Sequence, residues 1–311
     1  MAFAIKVLVS TAVLAWIAYG IDLESLSRSL QHIQPLPLIA AGLLLSALTF
    51  LQAWRWGFVL RALNTELSWL ARAINCFIGQ FFNQTLPSTI GGDAIRIWLL
   101  NRAGFALRPS ANSVFIDRLG ALFALLLLSL LGLPWLGDMD PDGAAVVTVA
   151  GAASIGLCTM VGILVLDWLP PFLSRARIVA SIATLSTDGR RVVFKTRAGF
   201  IVLAASIVLH LCVAAAVWMI ACSLQVDVTL GQCLVLVPLV MVASAIPISV
   251  AGWGVREGAM VAALGLVGVA HAEAFAISLL LGLTLIVVGL PGGLLWLRSR
   301  PPSDETKSAI S

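Results

Sequence analysis

Long apolar runs separated by short polar or charged loops make up nearly all of this chain. Six of them, at 3–20, 36–60, 111–136, 144–166, 199–222 and 272–297, approach or exceed the roughly 20 residues a helix needs to cross a bilayer. Each is predicted to be a full span. Two further apolar stretches, 73–103 and 231–270, are interrupted. The first contains Leu86-Pro-Ser-Thr-Ile-Gly-Gly-Asp-Ala-Ile-Arg96 and the second Ile246-Pro-Ile-Ser-Val-Ala-Gly-Trp-Gly-Val-Arg256. Both put a glycine five positions after the proline and an arginine nine after it. A helix broken inside hydrocarbon leaves backbone groups without water, so it is tolerated where it lines a cavity or is covered by protein. Paired Gly/Pro interruptions in two halves of a chain point to the central site of a transporter. Ordinary interhelical turns would use the same residue types, and the motifs alone leave both readings open.

Charge along the loops sets the orientation. The loop carrying Arg175, Arg177, Arg190, Arg191, Lys195 and Arg197 is expected in the cytoplasm, and Asp138, Asp140 and Asp142 outside. Counting from there, Arg61 and Arg72 before the first interrupted stretch and Arg96, Arg102 and Arg108 after its break all fall on the cytoplasmic side. That stretch therefore enters and leaves from the same side. The second, flanked by Asp227 and by His271 and Glu273, does the same from outside, because Arg298 and Arg300 must still end in the cytoplasm. The expectation is an all-α polytopic membrane protein with about six full spans plus two re-entrant broken-helix elements. They form one domain over 1–298, built as an inverted repeat of halves 1–137 and 143–298. From the motif proline to the next full span is about 24 residues in each half. Both termini are placed in the cytoplasm, and the polar tail 299–311, which opens with Pro301 and Pro302, is expected to be disordered.

Composition narrows the class rather than the function. With 60% hydrophobic and 11% charged residues, little chain is left for a soluble catalytic domain. The basic balance comes from loop arginines, which report orientation and headgroup contact rather than nucleic-acid binding. Cys76, Cys158, Cys212, Cys222 and Cys233 lack metal-ligand or Cys-x-x-Cys spacing and read as packing residues. The first run begins like a signal peptide but has no small-x-small cleavage site, so it reads as a retained span.

Charged residues at membrane depth mark candidate chemistry. Arg96 opens a short helix after Gly91-Gly92-Asp93, and Arg256 with Glu257 does so after Gly252-Trp253-Gly254. Glycines let backbone come close to a ligand, and a helix N-terminus with an arginine fork suits a phosphate. Asp93 and Glu257 are expected to orient these arginines when the site is empty. An anion role and a purely structural pairing both remain open. Arg118 is placed to face the Gly91-Gly92-Asp93 turn, with Asp117 beside it, and Arg55, between Trp54 and Trp56, reads as an interfacial anchor. Asn75, Gln80, Asn83 and Gln84 give the first element a polar face, and His210 reads as a satisfied packing residue. Gly254-x-x-x-Gly258 and Gly289-x-x-x-Gly293 suggest close helix contacts. The spacing Gly252-x-Gly254-x-x-x-Gly258 misses the dinucleotide fingerprint. No Walker sequence or catalytic triad order appears, so no enzymatic activity, cofactor or metal is expected.

The stretch Phe82-Asn-Gln-Thr-Leu-Pro-Ser-Thr-Ile-Gly-Gly-Asp-Ala-Ile-Arg96, followed by Asp117-Arg118 and by Ile246-Pro247 and Gly252-Trp-Gly-Val-Arg-Glu-Gly258, resembles the flippase-like transmembrane domain of lysylphosphatidylglycerol synthases and their stand-alone relatives. Where that family often has Pro-Gly-Gly, this chain has Val250-Ala251-Gly252. The synthase part has no counterpart here, so the resemblance implies translocation without synthesis: a flippase for an aminoacyl-phospholipid or polyprenyl-phosphate-linked lipid in the bacterial cytoplasmic membrane. The implied substrate-binding residues are Asn83, Pro87, Gly91, Gly92, Asp93, Arg96, Asp117, Arg118, Gly252, Gly254, Arg256 and Glu257. Its partners would be membrane lipids with anionic headgroups; a homo-oligomer and a separately encoded lipid-modifying enzyme are compatible with it. The alternatives are a secondary transporter of a small soluble anion, and a membrane lipid-phosphate transferase using Asp93, Asp117 or Glu257 as general base.

Overall fold

The computed structural model describes residues 30–31, 33–86, 90–165, 185–193, 196–245 and 252–298. The expected first span, the motif residues Pro87 and 246–251, the cations Arg175, Arg177 and Lys195, and the tail 299–311 lie outside the described residues. The described helices, joined by short turns, are α1 Pro35–Ala62, α2 Trp69–Thr85, α3 Gly91–Arg102, α4 Leu107–Leu131, α5 Leu133–Met139, α6 Ala144–Val165, α7 185–193, α8 Ala198–Ser223, α9 Leu230–Ala245, α10 Val255–Gly265 and α11 His271–Arg298. Among the described residues, α1, α4, α6, α8 and α11 are long and apolar enough to cross a membrane. Their outer faces carry Leu43, Leu131, Val147, Ile155, Phe200, Leu294 and Leu297, each more than half exposed. Such an apolar exterior belongs in lipid. The chain is a multi-pass membrane protein.

Helix bounds follow the hydropathy of the chain closely. The third expected span differs, since α4 stops at Leu131 and α5 starts at Leu133. Pro134 sits in the first turn of α5, where its missing N–H costs nothing, and Gly132 joins the two helices.

Both interrupted stretches are pairs of helices. The amide of Gly92 on α3 donates to Asn83 Oδ1 on α2 (2.9 Å), so the chain folds back between them. In the second half α9 packs on α10. The central pair is α1 with α8. Gln34 N, before α1, donates to Ser223 O at the end of α8 (2.8 Å), while Arg55 near the end of α1 reaches Ser206 early in α8. The two helices are antiparallel. Ala41, Ala53, Ala214, Ala216 and Ala221 are buried to within 1% on these helices, and small side chains of this kind let backbones come close where there is no water to drive association.

Packing in the first half has a counterpart in the second under the exchange α1 with α8, α2 with α9, α3 with α10 and α4 with α11. The contacts α1–α2, α2–α3, α3–α4, α1–α4, α2–α11 and α4–α8 are matched by α8–α9, α9–α10, α10–α11, α8–α11, α9–α4 and α11–α1.

Candidate functional site

A buried ladder of charges occupies the first half. Ser206 on α8 accepts from Arg55 Nη1 (2.8 Å), and Arg55 Nε donates to Asp117 Oδ1 on α4 (2.9 Å). The other Asp117 oxygen lies 3.6 Å from Arg96 Nη2 on α3. Arg96 Nη1 reaches Asp93 Oδ1 one turn earlier at 3.4 Å, and Asp93 Oδ2 accepts from Arg118 Nε at 2.7 Å. Three arginines thus face two aspartates. Arg55, Arg96, Asp93 and Asp117 are all less than 10% exposed, whereas the Arg118 side chain is 42% exposed.

Local sequence explains how so large a cation is housed. The Arg96 guanidinium stacks on the Trp56 ring (4.2 Å to the centroid), worth about 2 kcal/mol where water is excluded. Its aliphatic stem runs over Gly79 of α2, where a Cβ would stand 2.9 Å from Arg96 Cδ. A Cβ on Gly92 would overlap the Gly79 carbonyl and Asn83. This glycine serves the contact of α3 with α2. Helix α3 begins at Gly91, so Arg96 lies in its second turn rather than opening it.

The reading of Arg55 as an interfacial anchor is likewise overturned. It is 3% exposed and ties α1 to α4 and α8. A buried guanidinium flanked by Asp117 and Ser206 is held by charge-assisted bonds that an interfacial position would not supply. Arg118, by contrast, faces Asp93 as expected. His210 Nε2 lies 3.0 Å from the Ala121 carbonyl, the satisfied packing role read from its apolar helix.

Four buried polar atoms within this cluster have no hydrogen-bond partner among the described residues: Arg96 Nε and Nη2, Asp117 Oδ2 and Trp56 Nε1. Leaving such groups unmade costs about 1–3 kcal/mol each, more when charged.

The second motif forms a separate, self-contained cluster. Gly252 and Gly254 have φ of 84° and 90°, a region that glycine alone enters at little cost, and they turn the chain into α10. Glu257 Oε2 accepts from the Gly254 amide (2.6 Å) and Oε1 from Arg256 Nη2 (2.6 Å) and Nε (3.1 Å). Ser278 of α11 joins the same group, accepting from Arg256 Nε (3.3 Å) and donating to Glu257 Oε1 (3.3 Å). Arg256 stacks on Trp253 (4.8 Å), and a Cβ on Gly282 would overlap its guanidinium. Here one arginine meets one glutamate.

The two clusters share a motif logic without sharing a contact. Among the described residues no hydrogen bond or ion pair joins Arg96 or its partners to Arg256 or Glu257. Their common neighbour is α11, which packs Gly289, Gly292 and Gly293 on α2 and presents Ser278 and Gly282 to Arg256. The Gly289-x-x-x-Gly293 expectation holds. The sequence reading missed Trp56, Ser206, Ser278, Gly79 and Gly282. Of these only Trp56, beside Arg55, left a visible signal.

A family model described as the lysylphosphatidylglycerol synthase TM region matches residues 3–292, which include every residue of both clusters. Among curated proteins none matches the chain.

Proposed function

The chain belongs to the lysylphosphatidylglycerol synthase transmembrane family, and from that premise we propose that it is a lipid flippase, carrying a phosphate-bearing lipid across the bacterial cytoplasmic membrane. The carrying observation is the positive excess at Arg55, Arg96 and Arg118 together with the orphaned donors of Arg96 and Trp56. A phosphate supplies acceptor oxygens and negative charge at once, and an arginine fork binds it in two places. Arg118, the exposed member, captures the headgroup. Asp93 releases it as the phosphate takes its place, and Arg96 receives the charge deeper in. Asp117 and Arg55 keep that site in register, while acyl or prenyl tails remain in lipid. Arg256 already spends Nε and Nη2 on Glu257, which suits a positioning role in the second half better than anion capture.

The architecture supports alternating access. Equivalent helices α1 and α8 run antiparallel, as an axis lying in the membrane plane requires and an axis along the membrane normal forbids. The hairpins α2–α3 and α9–α10 then enter from opposite sides as re-entrant elements, and both termini are cytoplasmic. The protein moves lipid without converting it.

The test is leaflet exchange in proteoliposomes, using fluorescent phosphatidylglycerol, lysylphosphatidylglycerol and a polyprenyl phosphate as probes and an impermeant quencher as readout. Wild type should accelerate exchange of at least one probe, and Arg118→Gln should lower that rate at least tenfold, with Arg256→Gln affecting it through stability alone. Absence of exchange for all three probes, with uptake of free phosphate instead, would replace the lipid reading with that of a soluble-anion transporter.

A further inference from the structure

We propose a second anion site, for the phosphate of an anionic phospholipid, at the turn from α1 into α2, formed by Arg61 and Arg72. The two guanidiniums meet at Gly57. Arg61 Nε donates to the Gly57 carbonyl (3.1 Å), and the place of the missing Gly57 side chain is filled by the Arg72 guanidinium, which a Cβ there would overlap. Their positive charges are close enough to act on each other. Among the described residues neither has a carboxylate within ion-pair distance, and the acid nearest in the sequence, Glu66, is exposed. Arg72 Nε is buried with no hydrogen-bond partner among the described residues.

Two like charges are gathered here by rigid surroundings rather than by chance rotamers. Arg61 stacks on Phe58 (4.3 Å), Phe58 packs edge-on against Trp54 (4.8 Å), and Arg72 lies over Trp69 (5.6 Å). Long cations at an interface ordinarily spread apart into water. Holding them together without a counter-ion is unfavourable unless an anion completes the set, and guanidinium forks are the usual partners of phosphate oxygens. The occupant is a lipid because the frame faces lipid: Trp54, Trp69 and Leu70 are 43%, 45% and 68% exposed at the same turn. They offer the glycerol and upper acyl region an aromatic and apolar bed. Arg72 precedes Gly79, the residue beneath Arg96, by seven positions on α2, about 10 Å of helix. No hydrogen bond or ion pair joins the two sites among the described residues, so this site stands whether or not the Arg96 cluster carries a headgroup.

The experiment is native mass spectrometry of the full chain released from nanodiscs of equal phosphatidylglycerol and phosphatidylcholine. Wild type should retain phosphatidylglycerol selectively. Arg61→Gln/Arg72→Gln should lower that selective retention at least tenfold. Gly57→Ala, which displaces Arg72 while leaving both charges, should lower it in the same direction, and Arg108→Gln, at an exposed arginine outside both sites, should leave it unchanged. Equal retention of the two lipids by wild type, retention that survives both Gly57→Ala and the double variant, or loss only in Arg108→Gln would each overturn the proposal. So would inorganic phosphate at millimolar concentration binding through Arg61 and Arg72 with no preference between the lipids, since the site would then serve a free anion. A failure of leaflet exchange in the proteoliposome assay leaves this retention measurement untouched, so the two readings fail separately.

Discussion

Asp117 is the residue on which the first cluster depends. Fully buried, it stands between Arg55 at 2.9 Å and Arg96 at 3.6 Å, so its removal leaves the buried Arg55 guanidinium without a carboxylate and Arg96 with Asp93 alone. Breaking a buried pair in this way costs about 3–5 kcal/mol. Asp117→Ala should therefore lower the midpoint of thermal unfolding in detergent far more than Asp93→Ala, whose partner Arg118 is already partly exposed. Equal destabilisation by the two would mean that the ladder carries no such hierarchy. The candidate arginines and acids were legible in the sequence because charge is rare inside apolar runs. Their pairing was not. Arg55 looks like an anchor between two tryptophans, and its partners lie 62 and 151 positions away, distances that no local pattern reports. Tryptophan faces and glycine hollows around a guanidinium are likewise products of packing between helices, visible only once α1, α2 and α11 are side by side.

Elements were easier to read than partnerships. Apolar length fixed α1, α6, α8 and α11 almost to the residue, since a helix in lipid must satisfy its own backbone along its whole run. The Pro and Gly clusters marked where α2 gives way to α3 and α9 to α10. What lay beyond the sequence is that α2 docks on α11 of the other half. Gly292 is the closest point of this docking, for a Cβ there would overlap the Phe77 carbonyl, and Gly289 and Gly293 frame it against Phe81. A backbone atom cannot swing aside as a side chain does. Gly292→Leu should separate α11 from α2 and destabilise the protein by about 3 kcal/mol or more through overpacking. The readout is the loss of a disulfide engineered across the two helices, measured beside thermal stability. Leu290→Ala, on the exposed side of the same helix, should do neither.

Taken whole, the molecule poses the question of side. Pairwise matching of contacts between the two sets of helices, and the antiparallel run of α1 against α8, are what an inverted arrangement demands, and loop charge supplies the orientation that packing cannot. Four exposed positions decide it: Glu66 and Ala103 flank α2–α3, and Asp227 and His271 flank α9–α10. Each is replaced singly by cysteine in a chain freed of its native thiols and treated in intact cells with a membrane-impermeant maleimide. Re-entrant elements return the chain to the side it came from, so positions 66 and 103 should react only after permeabilisation, and positions 227 and 271 should react from outside. If either hairpin crossed the membrane, its two flanking positions would react on opposite sides. That pattern would remove the in-plane axis, because hairpins that cross the membrane do not return the chain to the side it came from.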